Sequence, residues 1–256
     1  MKYSILVVLL LLLLPPVACG LRPRPVLTCT PGSTVDIPAG WFLMGEDEGQ
    51  PSHQPQRRVY LDAYAMDCTE VTNADFAAFV AETGYEAIGW ERQPAEEASE
   101  EPVTGVLWRD ADTHCRWMGK RLPTEAEWER AARGTEGHRY PWGSAWDSDL
   151  ANTVESGPGH VLPVGSYPDG ASPDGVLDMA GNAAEWVADT FDAAYYSYAP
   201  DRNPPGPDVE TDHVLRGGSW ASPREQAQTF FRDSSHSTRP NWRVGFRCAR
   251  SMEGVD

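Results

Sequence analysis

The order of apolar and polar positions changes character along the chain. From Ser33, the stretch STVDIPAGWFLMG reads as strand, turn, strand, punctuated at Gly40. RRVYLDAYAMD places Val59, Leu61, Ala63 and Ala65 on alternate positions, the period of a half-buried strand. TNADFAAFVAETG switches to a helical period. Thr72 and Asp75 have capping-box spacing, Phe76, Phe79 and Val80 share one face, and Gly84 is the stop. The acidic, proline-broken run EAIGWERQPAEEASEEP, from Glu86, reads as an exposed loop. WRDADTHCRWMG is a second short helix ending at Gly119. LPTEAEWERAARG is a third, with Pro123 ahead of it, Thr124 as cap, Glu127 completing the box and Gly134 ending it. Beyond Gly134 helical periodicity disappears. Glycine, proline, tryptophan and aspartate dominate, which predicts ordered loops and short strands as far as VGFRCAR. With no fixed-period repeat and no interdomain linker, the pattern describes one α+β domain rich in irregular loops.

Composition narrows the partners. The chain has 256 residues with 41% hydrophobic content, enough for a real core, and 23 Gly, 22 Pro and 10 Trp, which suit loops anchored by large aromatics. A formal charge of -17 excludes nucleic acid and anionic membrane surfaces as natural partners, because phosphate binding needs clustered Lys and Arg. An acidic, solvated exterior is the simplest reading of that charge.

The first residues stand outside the fold. Met1–Lys2 is a short basic end, Ile5 to Leu14 is an unbroken apolar run too short to span a bilayer, and PVACG follows. This is the pattern of a bacterial export signal over residues 1–18. The Val17-Ala18-Cys19 ending resembles a lipobox, with Cys19 as the lipidated first mature residue; simple secretion and an uncleaved anchor are the alternatives. Residues 19–35, including LRPRP, would form a stiff tether before a domain over 36–251. The expected location is the bacterial cell envelope, with membrane contact only through the lipid. Of five cysteines, lipidation of Cys19 leaves Cys29, Cys68, Cys115 and Cys248, an even number that favours two disulfides outside the cytoplasm.

Several phrases, in order, resemble one family: IPAGWFLMG, EVTNADFAAFV, HCRWMGKRLPTEAEWERAARG, YPWG, LPVGSYPDG, LDMAGNAAEW, NPPG, VLRGGSW and VGFRCAR, spanning Asp36 to Arg250. They resemble the formylglycine-generating enzyme, or sulfatase-modifying factor, family. The resemblance implies a C-type-lectin-like fold, low in regular secondary structure. It also implies a copper centre of two cysteine thiolates that oxidises a sulfatase cysteine to formylglycine, soft sulfur being suited to Cu(I). Here the two cysteine positions are Ser222 and Ala227, and no cysteine occurs between Cys115 and Cys248. Copper is therefore not expected. Ala184, in GNAAEW, replaces an aromatic that the family carries near its groove. Ser219 matches the serine beside the copper site; with no partner base evident, a hydroxyl satisfying a buried turn is the simpler reading. Arg216, Ser219, Trp220 and Ser222 are the candidate pocket residues. Iron is left open: His53, His114, His138, His160, His213 and His236 show no i, i+3 or i+4 pair.

The family pattern carries a calcium site onto Asp178 and Glu185 through side chains and onto Gly181 and Ala183 through backbone oxygens; hydrogen bonds without metal are the alternative for this loop. A second family calcium site keeps only Asn152 and Thr153. The resemblance pairs Cys115 with Cys248, leaving Cys29 and Cys68 for a second bridge. The aromatics of RYPWGSAWDSD, with Tyr195, Tyr196 and Tyr198, either line a groove or anchor loops by packing. The function expected is an exported, non-oxidase binding or accessory module that recognises an extended peptide or another envelope protein. Other redox chemistry in the same pocket, genuine formylglycine generation through an unfamiliar ligand set, and glycan binding are the alternatives.

Overall fold

A computed structural model describes residues 29–90, 98–209 and 212–252. The leader and Cys19 lie outside the described residues. Among those described, no helix is long and apolar enough to cross a membrane.

Among the described residues, three small sheets and three α-helices pack around two main apolar cores. β1 (Thr34–Ile37) runs antiparallel to β4 (Tyr64–Asp67), whose other edge pairs with β9 (Ala249–Ser251). β2 (Gly40–Met44) pairs antiparallel with β3 (Arg57–Leu61). The third sheet is ordered β7 (Asp233–Ser235), β6 (His213–Arg216), β5 (Ala184–Thr190), β8 (Val244–Phe246), with β5 and β8 parallel. The helices are α1 (Asn73–Thr83), α2 (Trp108–Trp117) and α3 (Glu125–Arg133).

Two strand readings are corrected. Gly40 is the first residue of β2 rather than a turn, and β1 and β2 belong to different sheets. RRVYLDAYAMD forms two strands. The 201–203 segment inserts at the break: Tyr60 N–H donates to Asp201 O at 2.8 Å and Asp62 N–H to Asn203 Oδ1 at 2.9 Å. Alternation holds in β3. It fails in β4, which is central in its sheet and buried at all four positions. The acidic stretch from Glu86 is not wholly exposed, since Ala87 and Gly89 are buried, Gly89 against the Gly105 carbonyl. β1 begins at Thr34 and Cys29 is bonded to Cys68, so part of the segment read as tether packs with the domain.

The helix signals translate into geometry. Thr72 and Thr124 both form capping boxes, and Gly84 adopts a left-handed cap at φ 68°. In α3, Thr124 Oγ1 accepts the Glu127 N–H at 3.2 Å, and Glu127 Oε2 accepts the Thr124 N–H at 2.8 Å. Thr124→Ala is expected to cost about 1 kcal/mol, read as a lowered urea midpoint at unchanged slope. No measurable shift would show that tertiary packing alone fixes this terminus. α3 is buried on every side. Its apolar face, with Trp128, joins one core with Ile37, Phe42, Leu61 and Val187. The second core lies between α1, α2 and the β5–β8 sheet, with Phe76, Phe79, Trp186 and Phe246. The Cys115–Cys248 bond ties α2 to the segment after β8.

Candidate functional site

The two glycines of RGGSW are required by close approach. Gly217 and Gly218 have φ of 84° and 67°; a Cβ on Gly217 would meet the Trp128 ring at 3.1 Å, and one on Gly218 the Gln226 carbonyl oxygen at 2.9 Å. The chain thereby turns tightly after β6 and sets Ser219 and Ser222 face to face. Ser222 Oγ accepts the Ser219 N–H at 3.0 Å and lies 3.3 Å from Ser219 Oγ, and Ser222 N–H donates to Ser219 O at 2.9 Å. Both serines line a cavity of about 280 Å³ with Ala184, Leu215, Gln226, Asn241, Arg243 and Val244. Ala184 stands in its wall, where a bulky aromatic would fill the space. Arg243 sits over the exposed side, its guanidinium 5.5 Å from the Trp220 ring.

Ala227 is placed differently from Ser222. It is fully buried in a small apolar cluster with Ala151 and Ala180, against which Trp142 and Trp146 pack. It does not line the cavity. The RYPWGSAWDSD aromatics thus close a core: Tyr140 and Trp142 stack at 5.4 Å and Trp142 meets Trp146 at 5.7 Å. Tyr195 and Tyr196 are buried as well, while Tyr198 is exposed and hydrogen-bonds Asp192.

Arg216 lines the cavity, but its charge is spent below it. Nη1 reaches Glu125 Oε1 at 3.1 Å and Nη2 reaches Glu129 Oε2 at 2.8 Å. Arg232 binds Glu125 through Nε at 2.6 Å and Nη2 at 2.9 Å. Asp189, pushed up to about 8 by burial and the Glu125 charge, accepts the Glu125 N–H at 2.7 Å. This bed of buried pairs supports the RGGSW turn without presenting a free base to it. His53 is neutral at pH 7, since burial and then Arg216 and Arg232 push it down to about 4; its Nε2 accepts the Arg232 N–H.

The DMAGNAAE loop lies beside this bed. Asp178 and Asn182 adopt left-handed φ of 59° and 61°, a conformation that asparagine and aspartate tolerate best among non-glycine residues. Glu185 is wholly buried and saturated: Oε2 accepts Trp128 Nε1–H at 2.9 Å and Arg247 Nε–H at 2.7 Å, and Oε1 accepts Arg247 Nη2–H at 2.8 Å. Asp178 Oδ2 accepts the Gly165 N–H at 2.7 Å. Ala183 N–H donates to Glu70 Oε1 at 3.3 Å. Asp178, Gly181 and Ala183 therefore share one loop, while the Glu185 carboxylate is turned into the Arg247 guanidinium.

Glu70 is a residue that sequence reasoning left without a role. Its only signal was its place in EVTNADFAAFV. Burial and then the Asp178 charge push its carboxyl well above the ordinary range, and burial pushes Asp178 up too. Asn182 connects this carboxyl to the RGGSW turn: Nδ2 donates to Glu70 Oε1 at 3.2 Å, and Asn182 O accepts the N–H of Trp220, which does not itself line the cavity, at 2.9 Å. Asn152 Nδ2 donates to Asn182 Oδ1 at 3.0 Å, its own Oδ1 is buried without a partner, and Thr153 Oγ1 donates to Glu155 at 2.8 Å. Among the described residues, His114, Cys115 and Cys248 are the one close grouping of three His, Cys, Asp or Glu side chains, and the two sulfurs are bonded to each other. The other histidines do not converge with them.

The molecule is thus a mixed α/β domain with few helices and several small sheets, carrying a Gly-Gly-Ser-Trp turn over a serine-lined cavity. The chain belongs to the family described as the sulfatase-modifying factor enzyme 1-like domain, which matches residues 22–252. It is 33% identical over 306 residues to the formylglycine-generating enzyme of Streptomyces coelicolor, covering 93% of this chain and 96% of that one. It is 33% identical over 279 residues to the inactive C-alpha-formylglycine-generating enzyme 2 of Mus musculus, covering 85% of each. Among solved structures it resembles PvdO from Pseudomonas aeruginosa, with a TM-score of 0.75 and 26% identity over 86% of this chain and 94% of that one. The chain spans 39% of the length of a similar serine/threonine-protein kinase, pkn1 of Chlamydia caviae.

Proposed function

We propose that this family member is a non-oxidase binding module of the bacterial cell envelope, exported by its leader and held by lipid on Cys19. The observation that carries the reading is the fate of the two copper positions. Ser222 is a hydroxyl committed to the Ser219 turn, and Ala227 is a methyl sealed among alanines and tryptophans. No thiolate pair faces the cavity, and Cu(I) has no soft ligand there. The mouse relative whose name calls it inactive is consistent with such a loss within the family.

The retained cavity supports ligand binding. A second hollow of about 330 Å³, lined by Glu46, Glu48, Arg139, Glu225 and Phe230, shares Phe231 with the serine cavity. Two hollows that share a lining aromatic suit an extended peptide segment better than a compact ligand. Calcium belongs to this reading as a structural ion.

Two measurements test the proposal. Metal content by mass spectrometry, on protein purified without chelators, is expected to show neither copper nor iron. Stoichiometric copper or iron, or aerobic conversion of a cysteine peptide to formylglycine, would move the enzyme reading to first place. On an array of immobilised extended peptides, Ala184→Trp is expected to weaken the retained signals about tenfold or more, the indole occupying the cavity. Identical profiles for wild type and variant would remove the groove from the proposal.

A further inference from the structure

His114, Cys115 and Cys248 put three metal-ligating atoms in one buried place. A ring nitrogen and the two sulfurs lie within 4.8 Å of one another, and the residues are 2%, 0% and 1% exposed. The imidazole is short of polar partners. Its Nδ1 faces Cys248 Sγ at 3.9 Å, and its Nε2 is buried without a hydrogen-bond partner. A buried ring whose polar contact is a sulfur calls for an explanation. Aromatic rings clamp it: Phe76 stacks at 5.6 Å, and Phe79 and Phe246 meet it edge-on at 5.4 and 5.3 Å. Packing thus fixes the direction of the ring and leaves Nδ1 turned to the sulfur.

The three residues are held together by more than the bond between the sulfurs. Cys115 follows His114 within α2, and its carbonyl accepts the Lys120 N–H at 2.8 Å. Cys248 is held by Asp67, whose Oδ2 accepts its N–H at 3.0 Å and whose N–H donates to its carbonyl at 2.8 Å. Zinc bonds of about 2.0–2.3 Å put neighbouring ligand atoms roughly 3.5–3.8 Å apart. Nδ1 and Cys248 Sγ already stand close to that separation, and the cysteine Cα atoms are 5.5 Å apart. Two thiolates and an imidazole are a donor set that zinc accepts, with a fourth position left to water. A cavity of about 100 Å³, lined by His114 with Thr69, Trp117, Met118 and Lys120, gives an ion a way in.

We propose that Cys115, Cys248 and His114 hold one Zn²⁺ when the disulfide is reduced, so that α2 and the segment after β8 are joined either by a sulfur–sulfur bond or by metal. A dithiol reductant breaks the bond: it closes to its own disulfide and passes two electrons and two protons to the cysteine sulfurs. Zn²⁺ then displaces the two thiol protons and takes the Nδ1 lone pair, which leaves the ring proton on Nε2. The two states exclude each other, since sulfurs bonded together cannot both serve the metal as thiolates. The inference stands independently of the peptide-groove reading.

To test it, the full chain is reduced with a dithiol, freed of the dithiol without air, and titrated with Co²⁺ as a visible stand-in for Zn²⁺. Wild type is expected to take one ion, with a thiolate-to-cobalt charge-transfer band and the intense visible absorption of tetrahedral Co²⁺, both removed by Zn²⁺. The disulfide-bonded protein should show neither. His114→Phe keeps the aromatic packing and should weaken binding about tenfold or more, since even the outer partners of zinc ligands are worth that much. Paired Cys29→Ala and Cys68→Ala should leave binding unchanged. X-ray absorption on zinc-loaded wild type, which needs no variant, is expected to show two sulfurs and at least one nitrogen. The reduced chain should also gain roughly 5–10 °C in Tm with Zn²⁺ at a hundredfold excess over Kd. Absence of the charge-transfer band in reduced wild type, an unchanged affinity in His114→Phe, or zinc bound through four sulfurs would each overturn the proposal. So would zinc binding that leaves Tm unmoved, the mark of thiols that ligate only in the unfolded chain.

Discussion

Glu129→Ala is expected to destabilise the fold by about 3–5 kcal/mol, the cost of stripping a buried ion network of its central carboxylate. Glu129 is fully buried in α3 and accepts four donors: Gly45 N–H at 2.7 Å, Arg133 Nη1 and Arg216 Nη2 at 2.8 Å each, and Tyr196 OH at 3.2 Å. Alanine leaves two buried guanidiniums short of an acceptor and a void beside Tyr196. Against a domain stability of about 5–15 kcal/mol, that is a large fraction. Urea denaturation of both proteins at pH 7 measures it, and a loss under about 1 kcal/mol would mean that water or a neighbouring carboxylate replaces Glu129 easily. The network also has a pH signature. Burial alone would raise the Glu129 carboxyl, but Arg216, Arg133 and the Gly45 N–H outweigh burial and hold it below the usual glutamate range. A folded value depressed below the unfolded one gives stability that is present above about pH 4.5 and is lost as pH falls through the folded value. Glu129→Gln should therefore lose stability at neutral pH and show a shallower acid limb than wild type.

This network shows where sequence reading stops. The α3 cap was legible because Thr124 and Glu127 interact within one turn, and the Gly134 stop is equally local. The charges of EAEWERAAR gave no sign that the whole helix would be enclosed, because the partners of Glu125, Arg216 and Arg232, come from 91 and 107 residues away. An acidic exterior was the natural reading of the net charge, yet Glu70, Glu125, Glu129, Glu185 and Asp189 are all inside. Burial of a charged residue is decided by a distant opposite charge, which periodicity does not encode. β4 failed for a related reason: a strand central in its sheet buries both faces and loses the alternation that would announce it. At the site, absence was easier to read than position. Ser222 and Ala227 were visible as lost ligands, but only the fold separates a serine lining a cavity from an alanine locked in a core. Arg216 does line the cavity, but only the fold shows that its guanidinium is spent on Glu125 and Glu129.

Removing the Cys115–Cys248 bond by paired alanine substitution is expected to cost about 5 kcal/mol, because it frees a loop of 133 residues in the unfolded chain. The bond joins α2 to the segment following β8, across Cα atoms 5.5 Å apart, and both cysteines are buried. Cys29–Cys68 closes only 39 residues, so its removal should cost about 1 kcal/mol less on the same entropy argument. The larger loop also predicts a change of slope. Without it the denatured chain expands and exposes more surface, so the urea dependence should steepen for the Cys115/Cys248 variant more than for the Cys29/Cys68 variant. Equal slopes and a loss under about 2 kcal/mol would show that residual structure already holds α2 and β8 together in the unfolded chain. The consequence reaches the cavity, because β8 begins with Val244 beside Arg243, and both line it. Loosening the end of β8 should therefore weaken ligand retention in the folded variant even at temperatures well below its Tm. The bond then acts as the distant fixing point of the cavity wall as well as a constraint on the unfolded chain.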